Sequence, residues 1–158
     1  MEHERKIHCL IYKTVLQYKY MWIPFALLSA LSAAFVTIFG KIGLKNIDST
    51  LATTVRSVIM AGFLVITSIF LGKWSMIHTI DKKTLFYIAL SGIAGALSWL
   101  FYFFSLKNGP AGGVASIDRL SIVFIVVLSA FFLGEAITWK TATATLFVII
   151  GAILFTLK

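Results

Sequence analysis

Three charged residues, Arg56, Asp118 and Arg119, stand within stretches of the sequence that are otherwise apolar. A charge inside a bilayer is costly unless it is paired, hydrated or able to reach the interface. Such residues in membrane proteins typically bind ions or substrates, or form ion pairs with each other. Arg56, Asp118 and Arg119 are therefore the first candidates for chemistry in this chain.

Two roles are open for Arg56. Its long side chain could reach the membrane interface from a helix end, or it could face a substrate or an ion-pair partner. The apolar stretch that follows, residues 58–71, would be only about 21 Å long as a helix. Because the hydrocarbon layer is about 30 Å thick, Arg56 must lie within the membrane or at its edge.

Asp118 and Arg119 pose a sharper question. If Asp118 capped a helix that began at Arg119, residues 120–133 alone would be too short to span. A helix that begins near Gly113 is long enough, and it places both charges inside the span. Adjacent helical residues point about 100° apart and do not neutralise each other. Asp118 could instead pair with Arg56 on a neighbouring helix, or both could belong to a solvated transport cavity.

Two aromatic residues near the end of the third apolar stretch, Trp99 and Tyr102, are further candidates. Aromatic side chains in membrane helices usually pack against lipid or neighbouring helices. A place along a substrate path is the alternative, and Tyr102 suits it better because its hydroxyl needs a polar partner.

Signatures of catalysis and of metal binding are absent from the sequence. There is no Gly-x-Ser-x-Gly, His-Glu-x-x-His or phosphate-loop motif. The three histidines do not cluster as metal ligands do, and the single cysteine, Cys9, cannot form an intrachain disulfide. We therefore expect a protein that is not an enzyme and has no cofactor and no metal.

The composition defines the elements that must position these residues. The chain has 158 residues, of which 59% are hydrophobic and 13% charged, against about 45–50% and about 25% in soluble domains. Continuous apolar runs favour helices over barrel strands. We therefore predict an all-α integral membrane protein with a single transmembrane domain over residues 22–158, whose five transmembrane helices run from Trp22 to about Gly40, Thr50 to Gly72, Thr84 to Leu106, Gly113 to Leu133 and Trp139 to Leu157.

Residues 1–21 form a polar, basic tail in which apolar residues recur at helical spacing. An interfacial amphipathic helix, a loosely ordered tail and an upstream start before Met21 are all compatible with this pattern. The net charge of +8 fits basic loops that face anionic lipid and the cytoplasm, and we expect no nucleic-acid partner.

The distribution of Lys and Arg predicts the orientation. Five spans place the tail, the second loop and the fourth loop on one side, with eight basic residues when Lys140, at the very start of the fifth span, is counted with the fourth loop, against four on the other side. The positive-inside rule then puts the N-terminus in the cytoplasm. Without the tail the count is four on each side, so the helical body could insert both ways and pair antiparallel with itself.

Several short motifs together resemble the EamA-like family of the drug/metabolite transporter superfamily, in its short five-helix form. The similarity covers about Trp22 to Lys158. The motifs are Phe39-Gly40-Lys41-Ile42-Gly43, Ile47-Asp48, Ala52-Thr53-Thr54-Val55-Arg56, Ala96-Leu97-Ser98-Trp99 before Tyr102, Leu106-Lys107 with Gly109-Pro110-Ala111, Val114-Ala115-Ser116-Ile117-Asp118-Arg119-Leu120-Ser121, and Leu133-Gly134-Glu135.

The resemblance implies half of a ten-helix transporter fold, and a secondary transporter or exporter of small metabolites in the cell inner membrane. A lone half would have to form a homodimer, parallel or antiparallel, to build a cavity with alternating access. In related small multidrug exporters an acidic residue in the first helix binds cations, but residues 22–40 contain none. The net charge within the spans is +1, which suits a zwitterion or anion such as an amino acid.

On this interpretation Arg56, Asp118 and Arg119 orient the small-molecule substrate or couple protons, while Trp99 and Tyr102 line its path through the lipid bilayer. Two alternatives stay open. The chain could be a non-transporting membrane subunit or scaffold, in which the charges form a static pair, or a lipid-headgroup flippase, whose cavity would open toward lipid.

Overall fold

The computed structural model describes residues 21–157, and within this range every regular element is helical. Two 3-10 helices, Leu44–Asn46 and Trp74–Thr79, lie in the first and second loops. The α-helices are α1 (Trp22–Gly43), α2 (Ser49–Phe70), α3 (Lys82–Asn108), α4 (Ala111–Asp118), α5 (Ser121–Leu133) and α6 (Trp139–Thr156).

Five helical stretches are long and apolar enough to cross a membrane. They are α1 together with the 3-10 helix that follows it (Trp22–Asn46), α2, α3, the combined stretch Ala111–Leu133 and α6. The predicted all-α fold with five spans is therefore confirmed. The predicted tail lies almost wholly outside the described residues, and its boundary stays a prediction.

The described residues belong to two compact units, which divide between Ile38 and Phe39. The described part of the first unit holds most of α1. Its Ser32 and Thr37 hydroxyls donate to the backbone carbonyls of Leu28 and Ala33, each 2.9 Å away. Each hydroxyl thus donates to a carbonyl one turn earlier in its own helix, which is how such groups are commonly satisfied in an apolar surrounding.

In the second unit, aspartates fix where two of the spans begin. The Asp48 carboxylate accepts hydrogen bonds from the backbone N–H groups of Thr50 and Leu51 at the start of α2. Asp81 does the same for Lys83 and Thr84 at the start of α3. Both are N-caps, which satisfy N–H groups that lack a partner within the helix.

Glycines in the left-handed conformation stand where two spans end. Gly72 follows α2 with φ of +65°, and Gly134 follows α5 with φ of +68°. This conformation is strained for a residue with a Cβ, which explains why glycine occupies both positions.

Buried apolar side chains in the second unit concentrate where α3 meets the loop after α1. Leu44, Phe103 and Leu106 form the buried cluster, and Trp99 and Val114 are among the side chains packed against it. Many large apolar side chains elsewhere are exposed, with Phe70 at 91% and Trp139 at 83%. Exposure of this extent fits a protein whose surface is covered by lipid or by a partner.

Candidate functional site

The carboxyl end of α3 is closed by a lysine from the end of α1. Lys41 Nζ donates to the carbonyl oxygens of Leu106 at 2.6 Å and Gly109 at 2.8 Å, and lies 3.4 Å from that of Lys107. The last carbonyls of a helix lack partners within it, and a cation there also interacts favourably with the helix dipole. Lys41 therefore supplies hydrogen bonds and a charge where α3 needs both.

The chain packs closely on both sides of Lys41, at Gly40 and at Gly109. A Cβ on Gly40 would lie 3.2 Å from Phe103 Cζ and 3.3 Å from Leu106 Cδ2, and one on Gly109 would lie 2.9 Å from Val114 Cγ2. Both glycines therefore stand where a side chain would meet close neighbours. We call Gly40, Lys41, Phe103, Leu106 and Gly109 the α3 joint.

Sequence reasoning missed the α3 joint. Gly40, Lys41 and Gly109 were recognised in the sequence only as positions of the family motifs. One usable signal was present, since a lysine at a helix end can bind the free carbonyls of another helix that stops before a Gly-Pro turn.

Arg56, on α2, lies against the aromatic face of α3. Its Cζ atom is 3.7 Å from the Trp99 ring centroid and 5.4 Å from that of Phe103. These are cation–π distances. Its Nη1 atom is buried and has no hydrogen-bond partner among residues 21–157. The guanidinium is thus held in place by a ring while part of its donor capacity stays unused.

A groove of about 560 Å³ runs between α2 and α3 next to this stack. Its α2 wall carries the hydroxyls of Thr53, Thr54 and Ser57, and its other lining residues are apolar. All three hydroxyls donate to carbonyls one turn earlier in α2. Their oxygen lone pairs can still accept hydrogen bonds from a ligand in the groove.

Asp118 lines a second cavity, between α3 and α4. This pocket has a volume of about 310 Å³, and Ser98, Tyr102 and Ser105 are among its lining residues. In the described part of the chain no ion pair joins Asp118 to Arg56, which stacks on Trp99 instead. The ion pair, one of the two alternatives that the sequence left open for these residues, is therefore not formed.

The fourth span contains a turn that the sequence analysis did not predict. The expected continuous helix from Gly113 is divided, because α4 ends at Asp118 and α5 begins at Ser121. Leu120 N–H donates to Ile117 O, and Ile122 N–H to Arg119 O. These 3-10 bonds tighten the chain without breaking the span. Asp118 lies inside the span, as expected, but at a helix end, while Arg119 is exposed and is not among the residues lining the pocket.

The two aromatic candidates connect these charged residues across α3. The Trp99 and Tyr102 rings pack edge to face with centroids 5.5 Å apart. Trp99 contacts Arg56, and Tyr102 lines the pocket of Asp118. Of the five predicted site residues, Trp99 and Tyr102 lie on α3, and Arg56 and Asp118 come from the helices beside it. Arg119 belongs to neither the stack nor the pocket.

Comparison with known protein families identifies the family of this chain. The model of the EamA-like transporter family matches residues 20–157. This chain belongs to the EamA-like transporter family. The family and the five spans together make it a multi-pass integral membrane protein and a membrane transporter of small molecules.

Curated relatives agree with the family. An "Uncharacterized transporter in cobO 3'region" from Sinorhizobium sp is 38% identical over 133 residues, which is 84% of this chain and 94% of that protein. YvbV, an uncharacterized transporter of Bacillus subtilis, is 28% identical over 84% of this chain but only 44% of its own length. The pseudopaline exporter CntI of Pseudomonas aeruginosa is 30% identical over 42% of this chain and 24% of that exporter.

No solved structure matches the chain.

Proposed function

We propose that this EamA-like protein is a secondary transporter that exports or exchanges small metabolites by alternating access. The proposed substrates are zwitterions or anions such as amino acids. The carrying observation is the buried Arg56 Nη1 group, which has no hydrogen-bond partner in the described range while Trp99 holds its guanidinium.

A carboxylate is the natural ligand for such a group. The guanidinium is planar and always charged, and it binds carboxylates with two parallel hydrogen bonds. Stacking on Trp99 restricts the plane of the guanidinium before the ligand arrives. Less conformational entropy is then lost on binding.

The other predicted site residues take supporting roles in this proposal. Asp118 orients the substrate or carries a coupling proton from its pocket between α3 and α4. Trp99 and Tyr102 line the path between Asp118 and Arg56. Arg119, exposed at the turn between α4 and α5, contributes a long-range positive charge and no direct contact.

The proposed functional unit is a homodimer, parallel or antiparallel. Two observations support it. The match covers 94% of the Sinorhizobium relative, so that protein is also close in length to a single five-helix half. Without the tail, the basic residues outside the spans number four on each side of the membrane, which would allow insertion in both orientations. Dimer formation would also cover part of the exposed apolar surface. We propose the cell inner membrane as its location, with a cytoplasmic N-terminus when residues 1–20 are present.

Counterflow in proteoliposomes tests the transport proposal. Vesicles loaded with an unlabelled amino-acid mixture should accumulate a labelled amino acid from outside, and vesicles with Arg56→Ala should not. Arg56→Lys should restore part of the flux, because it keeps the charge but not the planar pair of donors. Lys45→Ala is the matched control, since Lys45 is an exposed loop cation.

Other outcomes would favour the alternatives. Equal flux in wild-type and Arg56→Ala vesicles would remove Arg56 from the site. Absence of flux for amino acids and organic acids, together with scrambling of a labelled phospholipid, would favour the flippase. Absence of both activities would favour a non-transporting subunit.

A further inference from the structure

The pocket between α3 and α4 contains hydrogen-bond acceptors, whereas the stack of Arg56 on Trp99 offers a donor. Asp118 supplies a carboxylate, and Ser98 and Ser105 supply hydroxyls that make no hydrogen bond to other described residues. A carboxylate only accepts hydrogen bonds, and each hydroxyl can accept as well. The polar surface of the pocket is therefore complementary to a group that donates several hydrogen bonds.

Asp118 is the one charged residue among those that line the pocket. Asp118 is half-buried, and no cationic side chain lies within ion-pair distance of it in the described chain. Arg119, the nearest cation in sequence, is exposed and is not among the residues that line the pocket. A cation would therefore be favoured here and an anion disfavoured.

The size of the pocket and its aromatic walls favour an organic ammonium group over a metal ion. About 310 Å³ is roughly ten times the ~30 Å³ that a water molecule occupies in the liquid. A dehydrated metal ion with two hydroxyl ligands would leave most of this space unfilled. The rings of Phe101 and Tyr102 line the same pocket, and aromatic faces attract organic ammonium groups.

We infer that the α3–α4 pocket is a binding subsite for the ammonium group of an organic amine or amino acid, with Asp118 as its counter-ion. The inference rests on the proposed function, because it names the part of the substrate that this side of α3 would hold. The ammonium donates to Asp118 and to Ser98 or Ser105, and its carbon chain lies against Phe101 and Tyr102.

Binding of simple probes to the purified full chain tests this inference. Calorimetric titration with benzylammonium should show saturable binding, whereas the uncharged benzyl alcohol and the anionic benzoate should bind at least about tenfold more weakly. Asp118→Asn should weaken benzylammonium by about tenfold to a hundredfold. Glu135→Gln, which removes one negative charge from an exposed loop, should leave the affinity unchanged.

The outcomes separate the subsite from its alternatives. Equal affinity for benzylammonium and benzyl alcohol, or no binding of benzylammonium, would overturn the inference even if Asp118→Asn did not fold. Displacement of benzylammonium by sodium chloride, but not by choline chloride, would assign the pocket to a metal ion instead. Ammonium binding without amino-acid flux in vesicles would leave the subsite standing and reject the proposed transport.

Discussion

The α3 joint and the charged residues Arg56 and Asp118 differ in whether their polar groups have hydrogen-bond partners within the fold. At the joint, Lys41 is bonded to two carbonyls at 2.8 Å or less, and glycines let the chain pack closely. At Arg56, a buried N–H group has no partner among the described residues, and the Asp118 carboxylate lines a cavity. Some residues of the family motifs, such as Lys41, therefore bind the end of α3, whereas Arg56 and Asp118 keep polar groups that a ligand could bind.

The largest expected effect lies in the joint. Lys41→Met keeps the length of the side chain but removes its donors, leaving the last carbonyls of α3 with fewer partners. Since hydrogen bonds to charged groups contribute about 1.5–3 kcal/mol, we expect the free energy of unfolding to fall by about 3 kcal/mol. Reversible unfolding in mixed micelles measures it.

Lys45→Met is the matched control for this prediction. Lys45 lies in the 3-10 helix after α1, is exposed and donates no side-chain hydrogen bond within residues 21–157. Its loss should change stability by less than about 0.5 kcal/mol. Equal effects of the two substitutions would show that Lys41 matters only as a surface charge.

The second prediction concerns the close packing at Gly109. Gly109→Ala places a Cβ 2.9 Å from Val114 Cγ2 and 3.2 Å from the Ser105 carbonyl oxygen. Relieving such overlap costs about 1–3 kcal/mol, and Val114→Ala in the same chain should restore part of the loss. Gly43→Ala is the control, because nothing lies within 4 Å of its Cβ position. A loss as large at Gly43 as at Gly109 would contradict the packing argument.

A smaller change in stability is expected at Arg56. Arg56→Met removes a cation–π contact of about 1–2 kcal/mol but also removes a buried N–H group without a partner, and these effects oppose each other. We expect stability to change by less than about 1 kcal/mol while amino-acid counterflow falls at least about tenfold. Loss of stability and flux in proportion would instead mean that Arg56 belongs with the joint.

Sequence alone could predict the spans but not the contacts. The apolar runs predicted the α-helical bounds of all five spans to within three residues at each end, because membrane thickness fixes helix length. The bonds of Lys41 and the stack of Arg56 on Trp99 join residues 43 or more positions apart. Such contacts depend on how helices rotate and pack, which composition does not specify. The turn after Asp118 was missed because no glycine or proline marks it.

The smallest expected effect compares two aspartates. Hydrogen bonds from the backbone N–H of Leu51 and then of Thr50, with a smaller effect of Lys107, hold the pKa of Asp48 below its ordinary value. A carboxyl group with a lowered pKa stabilises the fold above its unfolded pKa of about 3.9, and that contribution is lost as pH falls through the folded value. Asp48→Asn should change the melting temperature little at neutral pH, because asparagine also caps helices.

In acid the two proteins should then differ. The melting temperature of the wild type should fall more steeply than that of Asp48→Asn between about pH 5 and pH 3, because only the wild type takes up a proton at this cap. Parallel curves would mean that the cap contributes nothing to acid sensitivity. At Asp118 the expected effect of the same substitution is on amine binding, since this carboxylate has no such backbone donors among the described residues. The two aspartates therefore differ in the source of their hydrogen-bond donors, which for Asp48 are backbone N–H groups of the fold and for Asp118 are expected from a bound ammonium group.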